Sequence, residues 1–498
     1  MAFETMRSEP LQSIPKTFAG VDVFITGGSG FMGKVLIEKL LRSCPDIGKV
    51  FVLLREKKGK SSGERVQDLV GIPLFDKIRE SCPDVIQKLV PIAGDCSLLK
   101  LGLHEDSLEQ MKNVQIVFHA AASVRFDDPL YKAILLNTRG TREVFRWAKT
   151  LKNLRALVHI STTYCNPEIF EVEECIYPAK MDWQKAIEIA EQLDPEVVET
   201  LSQKLTSFSP NTYTFTKGLA EQICYDYHQE LPVVIFRPSI VTNAEKEPLP
   251  GWIDNFNGPI GLLVGMGTGV VRTGCIKLEN NRINCIPVDV SIKAIIIAAW
   301  KRANSSSSQP MLPIYNSAAE VYKTASYRFL VDECEELYHK TPSSQMFWAP
   351  GGLNTNCVAA FCVVFFFSQI VPAVLLDTLL KLCRRKPIML RLQRKIFDAT
   401  ISLLYFTENE WVFKTDNFRG LQVDLLEQDR EAFDISYISQ GLIPYYADAI
   451  LGVRRYLFRE KDDTIPVARK KMMRFVWMHR AMKYTLFSYI SYVIFCLF

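Results

Sequence analysis

The chain has 498 residues, with 59 lysines and arginines against 55 aspartates and glutamates, a net charge of +4. That length allows two or three domains around a large core, and the slight charge excess gives no reason to expect nucleic-acid binding. The 13 cysteines form no CxxC pair and only six histidines are present, dispersed, so a zinc site has little support and no metal is expected.

The opening MAFETMRSEPLQSIPKTF is polar and proline-containing, without a signal-peptide pattern, so the main body is expected in a reducing compartment, facing the cytosol. A first strand, Val23 to Thr26, then runs into a turn carrying Gly27, Gly28, Gly30 and Gly33. Val35, Leu36, Ile37, Leu40 and Leu41 supply the apolar face of the helix that follows. A helix starting there aims backbone N–H groups and the positive end of its dipole above the turn, which favours a phosphate. A glycine trio alone is a weak signal, and strand before with helix after makes it a dinucleotide-binding pattern. The candidate contacts in this stretch are Thr26, Gly27, Gly30, Phe31, Met32 and Gly33.

A second strand, Val50 to Leu54, ends in Arg55, Lys57, Lys58 and Lys60. An acidic residue there would hold the ribose hydroxyls, whereas arginine accommodates a 2′-phosphate, so NADPH is favoured over NADH. A solvated basic loop is the bland alternative. The third strand, in KLVPIAGD, ends at Asp95, within reach of the adenine; the fourth, VQIVFHAAA, ends at Ala120, Ala121 and Ala122, small enough for close approach to a cofactor. A helix containing Asn137, a candidate cofactor contact, and a fifth strand, ALVHISTTYCN, follow, and this alternation predicts a doubly wound parallel α/β sheet. Pro167 to Pro210 reads as a mostly helical insertion, TYTFTKGLAEQICYDYHQ as a long helix, and LPVVIFRPSIV as a sixth strand with Pro238 a candidate cofactor contact. From Pro248 to Thr273 glycine and aromatic residues suit a substrate region, and a serine-rich loop lies near Ser305.

Tyr213 and Lys217 lie four apart on the long helix and share a face. An ammonium one turn from a phenol would favour the phenolate and shift the phenol toward a working value, which suits proton delivery to a carbonyl oxygen as a hydride arrives. A YxxxK pair arises by chance in a chain of this length, so context carries it: Ser161, Thr162 and Thr163 end the preceding strand, and strand ends meet at the cofactor crevice of such a sheet.

TGGSGFMG, HISTT, YTFTK and RPSIV together resemble the extended short-chain dehydrogenase/reductase family. More narrowly, REKKGK, PGWIDNFNGPIGLLVGMGTGVVRT, NCIPVDVSIKAIIIAAW and the late stretches EWVFKTDNFRGL and FDISYISQGLIPYYADAILGVRRYLFRE look like a eukaryotic fatty acyl-CoA reductase, most like the insect members, over roughly Ala19 to Arg459. The resemblance implies a four-electron reduction of long-chain or very-long-chain acyl-CoA to a primary alcohol with two NADPH, through a hemithioacetal that releases CoA and an aldehyde. It implies Tyr213 as proton donor, Lys217 as ribose anchor and pKa modulator, Thr162 as the hydroxyl that orients the carbonyl, and Ser161 beside it. It also implies Gly27, Gly30 and Gly33 around the pyrophosphate, with Arg55 at the 2′-phosphate. Many relatives have an aspartate-tryptophan pair after the FDI stretch, where this chain has Tyr445 and Tyr446.

Domains are expected at 19–320 for the reductase, with a substrate region at about 245–320, then a linker at 321–387, a smaller, mostly helical C-terminal domain at 388–460, and a basic segment with an apolar anchor at 461–498, after a tail at 1–18. Val358 to Leu376 carries no charge and is about long enough to cross a bilayer, but Gln369 and Pro372 weaken a simple span. Lys381, Arg384, Arg385 and Lys386 follow it and put that end in the cytosol. A hairpin or in-plane segment bent near Pro372 reconciles this with a cytosolic reductase domain, and a buried core helix stays open. The last 15 residues reach about 22 Å as a helix, short of a bilayer core, behind Arg469, Lys470, Lys471, Arg474, Arg480 and Lys483, which suit anionic headgroups. Membrane lipid and acyl-CoA are the expected partners, a homodimer is left open, and the endoplasmic reticulum is preferred to the peroxisome because CLF is no peroxisomal tripeptide. A sugar-nucleotide epimerase or dehydratase, and a non-catalytic lipid-surface protein, are the competing readings.

Overall fold

The computed structural model describes residues 11–497 apart from 58, 179, 207–208, 278–280 and 306–311. Lys58, most of the serine-rich loop and the first ten residues therefore lie outside the described residues. Seven strands form one parallel sheet: β1 (Asp22–Thr26), β2 (Val50–Leu54), β3 (Leu89–Ala93), β4 (Val114–His119), β5 (Ala156–Ile160), β6 (Val233–Pro238) and β7 (Ile314–Ser317), in the order β7-β6-β5-β4-β1-β2-β3. The strands read as apolar runs because helices cover both faces. Helix α1 (Phe31–Ser43) links β1 to β2, α2 (Ser62–Val70) follows β2, α3 (Gly140–Ala148) and α4 (Thr212–Tyr227) cover one face, and α5 (Val288–Ala303) packs beside α1. Phe24, Phe51, Val117, Leu157 and Ile235 meet Val144, Phe145, Phe215, Leu219 and Ile223 in one core. Each such side chain contributes about 1.5–3 kcal/mol by leaving water.

The doubly wound sheet expected from the sequence is the fold observed. Strand β7 and helix α5 were not foreseen. β7 has only four residues, and α5 is buried on nearly every side, so it shows no amphipathic period. The chain runs outward from β1 through β2 to β3, then returns to lay β4 on the other flank of β1. That reversal opens a crevice at the carboxyl ends of β1 and β4.

The chain divides into two compact units, each drawn from separate stretches. The first comprises 1–241, 286–320 and 411–437. Its late segment is tied in by the two-residue strands Val412–Phe413 and Glu171–Val172, by Trp411 Nε1 donating to Pro167 O at 3.0 Å, and by Ile14 N–H donating to Asp429 at 2.9 Å. The second comprises 242–285, 321–410 and 438–498. Tyr445 and Tyr446 are buried there, and the Tyr445 hydroxyl lies 2.6 Å from Thr242 Oγ1 and donates to Asn243 O at 3.1 Å. Also in this unit are helix α6 (Val358–Leu382), α7 (Met389–Glu408) and α8 (Ile465–Leu497). α6 is longer than the expected segment and, among the described residues, is the one helix long and apolar enough to cross a membrane. Its π-helical turn at Phe366–Ile370 precedes Pro372, which has no N–H to bond back to Ser368.

Candidate active site

The glycine turn is tight enough to fix residue type. Gly27 has φ +76°, and a Cβ there would lie 2.6 Å from the Ala120 carbonyl carbon; a Cβ on Gly33 would lie 2.3 Å from Gly27 O. Gly30 caps α1 without a side chain, and the first turn of α1 holds no acidic residue. The turn, Ala120 and the start of α1 at Phe31 and Met32 thus form a bare backbone cradle below a helix N-terminus. Its size and polarity fit the pyrophosphate of a nicotinamide dinucleotide.

At the next strand end, Arg55 is 58% exposed and its guanidinium lies 3.8 Å from Asp95. Asp95 also accepts from the backbone and hydroxyl of Ser97, both at 2.8 Å. A second cation, not singled out from the sequence, joins them: Arg65 donates to Arg55 O at 2.6 Å and to Ser29 Oγ, in the glycine turn, at 3.1 Å. Arg65 is aimed by the first turn of α2, whose start is set by a capping box between Ser61 and Glu64. That box is legible as S-x-x-E and was the available signal. Among the expected lysines, Lys60 instead pairs with Asp68 at 2.6 Å.

Between cradle and catalytic helix runs a buried polar chain. Ala121 N–H donates to Thr26 Oγ1 at 3.2 Å, Thr26 Oγ1 lies 2.7 Å from His119 Nδ1, His119 Nε2 lies 3.0 Å from Thr141 Oγ1, and Thr141 Oγ1 donates to Asn137 O at 2.7 Å. Since Thr141 gives its proton to Asn137, it accepts from Nε2–H, which assigns Nδ1 as the acceptor for Thr26. His119 stays neutral, because burial first and the charge of Lys217 second push it down to about 3. Asn137 lies in a π-helical turn, Ile134–Arg139. Its Oδ1 accepts from Ser123 N at 2.8 Å, and its Nδ2 donates to Ser123 O at 3.1 Å and Thr216 Oγ1 at 3.0 Å. Its side chain is thereby committed to holding the loop after β4 against α4.

Asn211 caps α4 by accepting from Thr214 N–H at 2.9 Å, which sets Tyr213 in the first turn, and Lys217 follows one turn on. The Thr162 hydroxyl hydrogen-bonds the Tyr213 phenol, and Phe126 stacks over the ring at 6.0 Å. Ser161 Oγ and Thr163 Oγ1 are buried with no hydrogen-bond partner. Thr163 N–H donates to Pro238 O at 3.0 Å, fixing the end of β5 against β6.

One expectation needs correction. The sequence placed the Lys217 charge where it would draw the Tyr213 proton off. Here burial pushes the Tyr213 phenol well above its usual value, with the Thr162 hydrogen bond drawing it back. Lys217, 3% exposed, donates to Ile160 O at 2.6 Å and is itself pushed down to about 8 by burial. Desolvation is the largest cause of both shifts, and the Lys217 charge is not among the causes acting on the phenol. A phenol so held is protonated at neutral pH and has a proton to give. Among the described residues no cluster of His, Cys, Asp or Glu could hold a metal ion.

Two family models, both described as "Male sterility protein", match residues 25–295 and 368–460. The Drosophila melanogaster protein "Fatty acyl-CoA reductase wat" is 36% identical over 458 residues, 92% of this chain and 88% of that one. "Fatty acyl-CoA reductase 1" of Homo sapiens is 35% identical over 466 residues, 92% of this chain and 89% of that one. Among solved structures, the terminal R domain from the myxalamid PKS-NRPS biosynthetic pathway superposes with a TM-score of 0.58 at 17% identity, covering 89% of this chain and 93% of that one. The reductase domain of a non-ribosomal peptide synthetase from Mycobacterium tuberculosis gives 0.56 at 18% identity, with coverages of 89% and 93%. At such identity these structures speak to the fold alone.

Proposed function

Because this chain belongs to the fatty acyl-CoA reductase family, we propose that it reduces long-chain or very-long-chain fatty acyl-CoA to the primary fatty alcohol, with NADPH as cofactor. The observation that carries the reading is convergence at the end of β5, where Thr162 bonds the Tyr213 phenol and Lys217 donates to Ile160 O, in the same sheet whose β1 runs into the glycine cradle. The cofactor, when bound, supplies hydride equivalents, two for each alcohol formed.

The chain's own groups then have distinct tasks. Gly27, Gly30 and Gly33 leave backbone open for the pyrophosphate, while Ala120 and Ala121 bound the cradle. Arg55, with Arg65 behind it, meets the 2′-phosphate, a pairing supported by two guanidinium groups at the end of β2. Thr162 and Ser161 offer hydroxyls to the substrate carbonyl, orienting it toward Tyr213 Oη. Tyr213 gives its proton to that oxygen as the thioester is reduced. It takes the proton back as the hemithioacetal hydroxyl loses it and CoA leaves as thiolate to be protonated by water, and gives it again at the aldehyde, after which water restores the phenol. The raised phenol affinity keeps it protonated beforehand. Lys217 anchors the ribose. Asn137 holds Ser123 and α4 in register and acts as a positioning residue. Acyl chains partition into membranes, which supports placing the enzyme at the endoplasmic reticulum, with the reductase domain facing the cytosol and α8 as an anchor.

The test is product stoichiometry with purified protein, acyl-CoA and either NADPH or NADH. Two NADPH consumed and one CoA released per fatty alcohol is expected. Equal turnover with NADH would remove the NADPH assignment, and aldehyde as sole product would remove the second reduction.

A further inference from the structure

We infer that α6 does not cross the membrane but lies in the plane of one leaflet, docked on anionic lipid through its outward face. Three observations lead there. The first is connectivity: α6 falls between stretches that fold together in the first unit. Upstream, Glu171–Val172 pairs with Val412–Phe413 downstream, Pro167 O accepts from Trp411, and Glu174 accepts from Phe418 N–H at 2.9 Å. A single crossing between residues 321 and 410 would leave these partners on opposite sides of the bilayer.

Return through α7 as a second span would satisfy connectivity, and the second observation excludes it. Asp377 of α6 accepts from the N–H groups of Ile388, Met389 and Leu390, each at 2.9 Å, which lays the start of α7 against the last turns of α6. Arg391, Arg394, Lys395 and Asp398 are exposed on α7 and would sit in hydrocarbon if it spanned alongside α6.

The third is the sidedness of α6. Phe361, Phe365, Gln369, Ala373 and Asp377, every fourth residue, form its buried stripe. Phe361 and Phe365 pack on Phe397 of α7, and Gln369 accepts from Arg272 N–H at 3.1 Å, so protein occupies this flank along its length. The opposite flank exposes Val363, Phe367, Leu375, Leu379 and Leu382, each more than half exposed. Lys381, Arg384, Arg385 and Lys386 are exposed at its C-terminal end. One apolar flank, one protein-covered flank and a cationic end match an amphipathic element at an anionic interface, where the apolar face enters only the upper part of the leaflet.

The inference rests on the reading that the protein works at a membrane, and topology can be tested apart from turnover. Cys357 precedes α6 and Cys383 follows it, both exposed. Full-length protein carrying Cys82→Ser, Cys362→Ser and Cys496→Ser, and retaining either Cys357 or Cys383, is expressed in microsomes, whose outer face is cytosolic, and treated with membrane-impermeant polyethylene-glycol maleimide. In-plane docking predicts that both are modified without detergent, to the extent seen with detergent. Protection of either one until detergent is added overturns the inference, since a single span and a spanning hairpin both send Cys383 across. A second measurement needs no cysteine: tryptophans placed at Phe367 and Leu379, about 18 Å apart along the helix, should be quenched to equal, shallow depth by brominated lipids. Graded depth would contradict in-plane docking.

Discussion

Replacing Lys217 with methionine should make the protein more stable while stopping catalysis. The ammonium is 3% exposed and its affinity for a proton falls from 10.5 to about 8 on folding, mainly through desolvation. That fall corresponds to about 3 kcal/mol of folding free energy forgone at pH 7. Methionine fills nearly the same space without charge but leaves the buried Ile160 O without its donor, a loss of about 2 kcal/mol. The expected net gain at pH 7 is therefore about 1 kcal/mol. The sign with pH follows from proton counting. Between about 8 and 10.5 the unfolded chain keeps the Lys217 proton and the folded chain has lost it, so the unfolded state binds more protons and wild-type stability rises with pH. The penalty is thus fully present below about 8 and gone above 10.5, where the variant becomes the less stable by the lost hydrogen bond. Urea unfolding of both proteins in detergent, from pH 7 to 10.5, measures the difference; every other titrating group is common to both and cancels. A variant less stable at pH 7, or a difference independent of pH, would refute the argument from desolvation.

Gly33→Ala places a methyl 2.3 Å from Gly27 O, and the strain of about 1–3 kcal/mol should weaken NADPH binding roughly tenfold to a hundredfold, read by titration of cofactor fluorescence. Arg55→Ala and Arg65→Ala should each raise the KM for NADPH by roughly tenfold or more, the worth of a charge-assisted hydrogen bond, and leave that for NADH almost unchanged; steady-state kinetics with both cofactors decides it. Asn137→Ala orphans the backbone groups of Ser123, so unfolding should show a loss of about 2 kcal/mol, with kcat falling more than the KM for NADPH. An unchanged kcat would deny Asn137 its positioning role.

The parts that periodicity and turn chemistry encode were legible in the chain. β1, the glycine turn and α1 announce themselves within eighteen residues, because a fully buried strand, a steric need for glycine and an amphipathic helix each leave a local signature. Tyr213 and Lys217 could be put on one helix face for the same reason. The direction of their proton affinities could not, because it depends on burial, and burial depends on where the helix meets the end of β5 at Ile160 and Thr162. Arg65, His119 and Ser123 were missed because their importance lies in partners 10 to 93 residues away, such as Ser29 for Arg65, Asn137 for Ser123, and Thr141 and Thr26 for His119. For α6 the sequence left an in-plane segment, a hairpin and a buried helix open, because only the fold shows Gln369 and Asp377 facing protein.

The central claim, that Tyr213 delivers the proton in an alcohol-forming reduction, is tested most directly by lipid analysis of microsomes containing either wild-type protein or Tyr213→Phe. Each receives NADPH and acyl-CoAs of twelve to twenty-six carbons. Fatty alcohol from wild type alone, with NADPH binding retained by the variant, is the predicted result, and the chain lengths consumed would define the substrate range. Alcohol from Tyr213→Phe at a rate near wild type, or none from a wild-type protein that binds NADPH, would contradict it.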